Sequence, residues 1–292
     1  MFELKQISEK TYYINYPTQI GIHLVSENEA VLIDSGNDAR AGKLVLKTLQ
    51  KNGWSLKAVY NTHCHADHVG GNAFLQKETG CKIFVPEVDR AAVCNTFLNQ
   101  MLLAGSYPVK DLDHKLFLAE SSNALTLTEK ELPSGFKMFP LKGHTMGMVG
   151  FLTPDGVAFI ADSVVSGVTI EKYFVTYLIS PKDYLETLDK LEQMSAKIFL
   201  PSHVTPCEDI KPVVEENRKS VQHIIGIIKE YCKVPRLTDD IIKHIFTVGG
   251  VRFSVAQYFM VGSTVRSYLA YLEREGELAV VCDDNMLYWQ SV

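Results

Sequence analysis

Four potential metal ligands fall within six residues of this chain, in the pattern His63-x-His65-x-Asp67-His68. The cluster follows an apolar run, Leu56-Lys57-Ala58-Val59-Tyr60-Asn61, that reads as a buried strand, and it precedes Val69 to Thr79, which reads as a helix closed by Gly80. The ligand types therefore lie on a strand-to-helix loop, where two rigid elements hold them and the backbone can turn around an ion. Successive side chains alternate along an extended segment, so His63 and His65 point to one side, while Asp67 and His68 lie where the chain turns into the helix. A lone histidine is usually structural or exposed, but this clustering reverses that expectation. Imidazole and carboxylate are good ligands for zinc, manganese and ferrous iron, and one such loop can serve two neighbouring ions.

The surrounding chain has a layered α/β pattern. Short β-branched or aromatic runs at Thr11 to Ile14, Gly21 to Val25 and Ala30 to Asp34 read as strands, and Asp38 to Lys51 has helical spacing closed by Asn52-Gly53. Further strands are expected at Lys82 to Pro86, Phe136 to Leu141, Val149 to Leu152, Val157 to Ala161 and Lys197 to Pro201, with an amphipathic helix over Pro181 to Met194. Residues 88–135 are irregular in pattern and are expected to cover the mouth of the site. From about Val213 the pattern is helical, over Val213–Val234, Thr238–Phe246, Ser254–Val261 and Ser263–Glu275, and it ends in a hairpin turned at Asp283-Asp284-Asn285. Helices followed by a hairpin describe a winged-helix module. The expected division is residues 1–210 and residues 211–292.

Three distal segments each place a ligand type just after an apolar strand: His144 after Met138 to Leu141, Asp162 after Val157 to Ala161, and His203 after Lys197 to Pro201. Strand ends on one edge of a sheet converge on a site, and these supply two more histidines and a carboxylate. With the HxHxDH run, this order of motifs resembles the metallo-β-lactamase superfamily over roughly residues 8–210. The resemblance implies an αββα sandwich of α/β class, with His63, His65 and His144 on one metal, Asp67, His68 and His203 on a second, and Asp162 bridging them. It also implies that Asp67 orients the attacking water, and that Asp34 supports a ligand rather than binding metal itself. The implied cofactor is two divalent ions, zinc before iron or manganese. Two positions depart from relatives: Ser202 replaces a glycine before the last histidine, so a looser second site is expected, and His65 replaces the glutamate of the redox diiron branch, which argues against oxygen reduction.

Other residues are weaker candidates. His23, Tyr173 and Tyr177 are candidate substrate contacts, each weighed against a plain packing role. Cys64 alternates away from its neighbours and reads as a packed thiol. The six cysteines form no CxxC pair, which fits reduced thiols in the cytoplasm, and the start of the chain lacks the apolar core of a signal peptide. No stretch of sequence is apolar enough to span a bilayer.

The substrate is less constrained. The first expectation is hydrolysis of a small-molecule ester, thioester or lactone, as in glyoxalase-II-like relatives. The second is phosphodiester cleavage of RNA or single-stranded nucleic acid, because the β-lactamase-like endoribonuclease type also joins this domain to a winged helix. Residues 207–292, however, hold ten lysines and arginines against twelve aspartates and glutamates, a net charge of −2 where a nucleic-acid surface wants a basic face. A mononuclear iron persulfide-type dioxygenase and a non-enzymatic metal-responsive binding protein complete the alternatives. The helical module is expected to pack on the first domain, to roof the pocket or to mediate a homodimer.

Overall fold

The buried apolar side chains sort into three clusters, and these are the three interfaces of a four-layered sandwich. The computed structural model describes residues 2–292. Its first sheet runs in chain order through β1 (Glu3–Gln6), β2 (Thr11–Asn15), β3 (Ile20–Leu24), β4 (Glu29–Ile33), β5 (Ser55–Tyr60), β6 (Lys82–Val85) and β7 (Ala124–Thr126). Strands β1 to β4 are antiparallel, whereas β4 to β7 are parallel. The change follows from the connections, because parallel neighbours need crossovers. Helices α1 (Ala39–Lys51), α2 (Ala66–Val69), α3 (Asn72–Thr79), α4 (Glu87–Cys94) and α5 (Phe97–Ala104) supply them. Asp38 starts α1 by accepting from the backbone of Arg40 at 2.9 Å and Ala41 at 3.1 Å.

The second sheet has the order β11-β10-β9-β8, formed by β8 (Lys137–Pro140), β9 (Val149–Leu152), β10 (Val157–Ala161) and β11 (Ile198–Pro201). Val31, Ile33, Tyr60 and Phe84 of the first sheet meet Phe151, Val157, Phe159 and Leu200 of the second in the central core. Outside the first sheet, Val45 and Leu49 of α1 and Leu75 of α3 pack on Leu32 and Val59.

The opposite outer layer comprises α6 (Gly167–Tyr173), α7 (Pro181–Gln193), α8 (Lys211–Tyr231), α9 (Thr238–Gly249) and α10 (Val255–Arg274). Leu188 of α7, Ile224 of α8, Ile245 of α9 and Leu269 of α10 share one apolar cluster with Ile160 and Phe199 of the second sheet. The core is thus continuous across the expected boundary at residue 210. A small sheet in the order β12-β14-β13 completes the chain, from β12 (Arg236–Leu237), β13 (Leu278–Asp283) and β14 (Met286–Ser291).

Three expectations change. The helix expected over Val69 to Thr79 is two helices, because Gly70 and Gly71 pass against the backbone of Asn37 and Ser35, where a Cβ would lie 2.3 Å from backbone atoms. The two helices expected at 254–261 and 263–275 are one, since α10 runs through Gly262, a buried position without side-chain bulk. Residues 88–135 contain α4, α5, the edge strand β7 and two 3-10 turns, short elements whose periods are too brief to read.

Candidate metal centre

Strands β4, β5, β10 and β11 end at one edge of the sandwich, and their following residues converge there. Asp34 follows β4, His63 to His68 follow β5, Asp162 follows β10 and His203 follows β11, while His144 lies between β8 and β9. Donor atoms of His63, His65 and His144 lie within 4.8 Å of one another, as do those of Asp67, His68, Asp162 and His203. Every residue the sequence singles out as a ligand is in one of these two groups.

The hydrogen bonds around the rings decide which way their lone pairs face. His68 Nδ1 lies 2.8 Å from Asp34 Oδ2, and His144 Nδ1 and His203 Nδ1 each lie 3.0 Å from a carbonyl, those of Tyr177 and Pro17. Each partner can only accept, so each Nδ1 donates and each Nε2 is left bare. His63 Nδ1 lies 2.9 Å from Thr62 Oγ1, whose proton is committed to Asp34 Oδ2 at 2.8 Å, so this ring is oriented the same way.

The bare nitrogens then meet other acceptors. His63 Nε2 and His144 Nε2 lie 3.1 and 2.8 Å from His65 Nδ1, which has one proton to give at most. His68 Nε2 faces Asp162 Oδ1 at 3.2 Å and Asp67 Oδ2 at 3.5 Å, and His203 Nε2 faces Asp67 Oδ2 at 3.2 Å and Asp162 Oδ2 at 3.3 Å. His68 Nε2 and Asp162 Oδ1 are buried with no hydrogen-bond partner. Buried acceptors aimed at one another are costly unless a cation lies among them. The donor set of imidazoles and carboxylates fits divalent metal of zinc type in both groups.

The same crowding sets the proton affinities. Burial holds His63 and His144 below the usual histidine range, and burial with the neighbouring His144 lowers His65 to about 3. Burial also opposes charge on His68 and His203, but the facing carboxylates, Asp162 foremost, outweigh it and raise both well above that range. For Asp67 and Asp162 burial raises the carboxyl, yet His68 and His203 outweigh it and hold both below the usual carboxylate range. Without a cation, one group is therefore a neutral nitrogen face, while in the other the facing carboxylates hold a proton on Nε2 of His68 and His203, in the place a metal ion would take.

Backbone strain lies where the ligands are set. Asp34 and Ala161, the residue before Asp162, have φ of 63° and 50°, in the left-handed region. Gly143, before His144, has φ of 121°, and a Cβ there would sit 2.5 Å from Tyr184 backbone atoms. Ser202, in contrast, is absent from the left-handed region, and its backbone pairs with Ala161 and Gln19 at 3.0 and 2.9 Å. The turn at 202–203 needs no glycine, and His203 reaches its group.

Asp34 accepts four hydrogen bonds, from His68 Nδ1, Thr62 Oγ1 and Thr62 N, each at 2.8 Å, and from Asn61 Nδ2 at 3.3 Å. It touches the His68 ring directly and the His63 ring only through Thr62, and belongs to neither donor group. Cys64 is buried and belongs to neither group, its Sγ donating to Asn99 Oδ1 at 3.1 Å. His23 is elsewhere: its Nδ1 lies 2.8 Å from Thr11 Oγ1 and 3.8 Å from Asp155, and it lines a separate cavity with Pro154 and Lys197. Tyr173, at the end of α6, is packed under Lys172 and does not line the metal-side pocket, whereas Tyr177 does. The expectation for His23 and Tyr173 rests on proximity in sequence, which does not report on which edge a loop folds over.

A pocket of about 210 Å³ opens on His65, Asp67, His144 and Asp162. Its walls are Asn99 and Leu103 of α5, Leu116, Phe117, Tyr177, and Met260 of α10. No lysine or arginine is among its described lining residues. The irregular stretch 88–135 covers the mouth as expected, and a residue from the C-terminal helices closes it. Thr18 donates to Asp67 Oδ2 at 2.7 Å, a contact with no signal in the local sequence.

A family model described as Metallo-beta-lactamase superfamily matches residues 17–203. A hydroxyacylglutathione hydrolase from Maricaulis maris is 30% identical over 148 residues, covering 48% of this chain and 49% of the relative. The chain thus spans about half the length of that curated relative. Among solved structures, a metallo-beta-lactamase family protein from Thermus thermophilus superposes with a TM-score of 0.70 at 18% identity, covering 100% of this chain and 98% of that one. A beta-lactamase domain protein from Burkholderia ambifaria gives 0.72 at 16% identity, covering 99% and 94%. At that identity the likeness is one of fold, and it includes the C-terminal helices.

Proposed function

Because the chain belongs to the metallo-beta-lactamase superfamily, we propose that its two facing donor groups hold a pair of divalent metal ions, zinc foremost, and that the protein hydrolyses a small ester, thioester or lactone. In this reading His63, His65 and His144 hold one ion, Asp67, His68 and His203 hold the other, and Asp162 lies between them. When bound, such ions supply Lewis acidity and lower the pKa of water toward neutrality. In the overall reaction the oxygen of water bonds to the acyl carbon, the bond to the leaving oxygen or sulfur breaks, and the leaving atom takes up a proton.

The protein's own contribution is positioning. Thr18 occupies one oxygen of Asp67, which keeps the carboxylate oriented and leaves its other oxygen to accept from the attacking water. Asp34 and Thr62 hold the tautomers of His68 and His63, so that bare nitrogens face inward. Leu103, Leu116, Phe117 and Met260 keep bulk water from the acyl group.

The observation that carries the substrate class is the pocket wall. A polyanionic phosphodiester bound against these side chains would lose hydration without gaining a cation from the protein, whereas an uncharged acyl group would not. We read the C-terminal helices and small sheet as a winged-helix module that closes this pocket rather than one that reads nucleic acid. Turnover of a lactone, an S-acyl thioester and single-stranded RNA under one metal-defined condition tests the proposal, with metal content measured alongside. Hydrolysis of the lactone or thioester is expected, lost on chelation and in Asp67→Ala. Full activity of metal-free protein would sink the metallohydrolase reading, and RNA cleavage without ester turnover would replace the substrate class.

A further inference from the structure

A second, larger cavity of about 1020 Å³ adjoins the pocket over the donor groups. Leu103 of α5 lines both, and on α10 Met260 of the pocket stands one turn before Ser263 of the groove. The groove runs along α10 beside α5 and the first turn of α7. Small side chains on α10, Ser263, Ser267 and Ala270, leave its floor open. At 1.5 Å per residue, Arg266 lies ~9 Å and Arg274 ~21 Å along the helix from Met260, which closes the pocket.

The groove differs from the pocket in charge. Lys182, Arg266 and Arg274 line it. Lys182 lies 3.9 Å from Glu275, and Arg266 lies 3.7 Å from Asp239, both pairs exposed and at the loose limit of contact. Among the described residues Arg274 has no carboxylate within ion-pair distance. The lining acids are Asp183 and Glu275, and Asp183 sits in the first turn of α7, where the helix end offsets its charge. The groove therefore presents cations at intervals along its length, leading away from an apolar acyl pocket.

We propose that this groove binds the leaving arm of the substrate, an elongated thiol or alcohol carrying carboxylate or phosphate groups that pair with Arg266 and Arg274. The inference rests on the acyl-hydrolase reading for what lies in the pocket, and it divides the substrate into an uncharged acyl end and an acidic arm. The division explains why the pocket holds no cation: the charges that select the substrate lie ~2 and ~4 helical turns along α10 from Met260, which closes the pocket.

Thioether analogues test it, because they bind without being hydrolysed. Titration calorimetry on the metal-loaded full chain would compare S-hexylglutathione, S-hexyl-coenzyme A and S-hexyl-N-acetylcysteamine, which carry carboxylates, phosphates and no charge respectively. At least one acidic thioether is expected to bind tenfold or more tightly than the neutral one, with a preference that shrinks as salt is raised. Which of the two binds distinguishes a carboxylate arm from a phosphate arm. In Arg266→Glu/Arg274→Glu the preference should fall at least tenfold, and Arg274→Gln serves if the double variant does not fold. Equal binding of charged and neutral analogues, or a preference that survives the substitutions, overturns the proposal. So does tighter binding of a single-stranded oligonucleotide in competition with them. Lack of turnover of the matching thioesters would refute the hydrolase reading while leaving the binding result intact, so the two failures are separable.

Discussion

Asp34→Asn tests whether a buried carboxylate that touches no metal sets the properties of the centre. Asn is nearly isosteric and is among the residues that best tolerate the left-handed backbone at φ of 63°, so the substitution removes charge without adding backbone strain. Its single carbonyl oxygen can serve only one side of the present network. If that oxygen keeps Thr62 N and Asn61 Nδ2, the amide NH₂ takes the place of Oδ2 and faces His68 Nδ1. His68 must then present Nδ1 bare and carry its proton on Nε2, the atom that faces Asp67 and Asp162. The ligand lone pair is lost unless the tautomer reverts against a donor-to-donor contact. Loss of such a supporting partner lowers metal affinity by roughly 10–100-fold, about 1.4–2.7 kcal/mol. The metal-free protein should change much less, because the Nε2 proton on His68 keeps Asp162 as its acceptor. Chelator-competition titration resolves two binding events, and only the ion held by the group that contains His68 should leave more readily in the variant. Metal affinities within about twofold of wild type, set against the loss expected above, with a lowered unfolding midpoint of metal-free protein, would refute the tautomer argument and leave Asp34 as a purely structural residue.

Other outcomes follow from the same structure. Gly143→Ala puts a Cβ 2.5 Å from Tyr184 backbone atoms at a left-handed φ, so it should destabilise the fold by at least ~1–3 kcal/mol in urea and displace His144, lowering metal content in parallel. Phe151→Ala empties a fully buried site between the two sheets and should cost about 3–5 kcal/mol of unfolding free energy without altering the metal stoichiometry of the folded fraction. His23 has its pKa lowered, chiefly by burial, against partial opposition from Asp155. The unfolded chain therefore takes up this proton first, and the stability His23 contributes is present above pH ~6.5 and is lost as pH falls through that value toward its folded pKa. His23→Gln should flatten part of the acid dependence of the urea midpoint between about pH 7.5 and 5.5 relative to wild type. An unchanged slope would show that His23 has the same proton affinity in the folded and the unfolded chain.

Much of the centre was legible in the sequence because its ligands obey local rules. His63 and His65 alternate on one extended segment, Asp67 and His68 stand at the entry to a helix, and His144, Asp162 and His203 each follow an apolar strand. Strand position and side-chain alternation are short-range properties, so the donor set could be read without knowing how the strands are ordered. The split of the helix after the cluster was hidden, since Gly70 and Gly71 look like ordinary helix residues until Asn37 and Ser35 are brought against them. The continuity of α10 through Gly262 was hidden for the opposite reason, because packing overrode a weak local propensity for a break.

The sequence by itself marked which residues make up the candidate donor set. Only the tertiary structure decided what surrounds them, as Asp34 and Thr62 meet His68 and His63 across strands, and Leu103, Phe117 and Met260 come together from three separate segments to form one apolar wall. Likewise Lys182, Arg266 and Arg274 carry no shared pattern in the chain and become a line of charge only when α7 and α10 flank one groove. The physical reason is range. Ligand geometry is set within a few residues by backbone period, whereas dielectric, volume and charge in a cavity are sums over side chains distant in sequence.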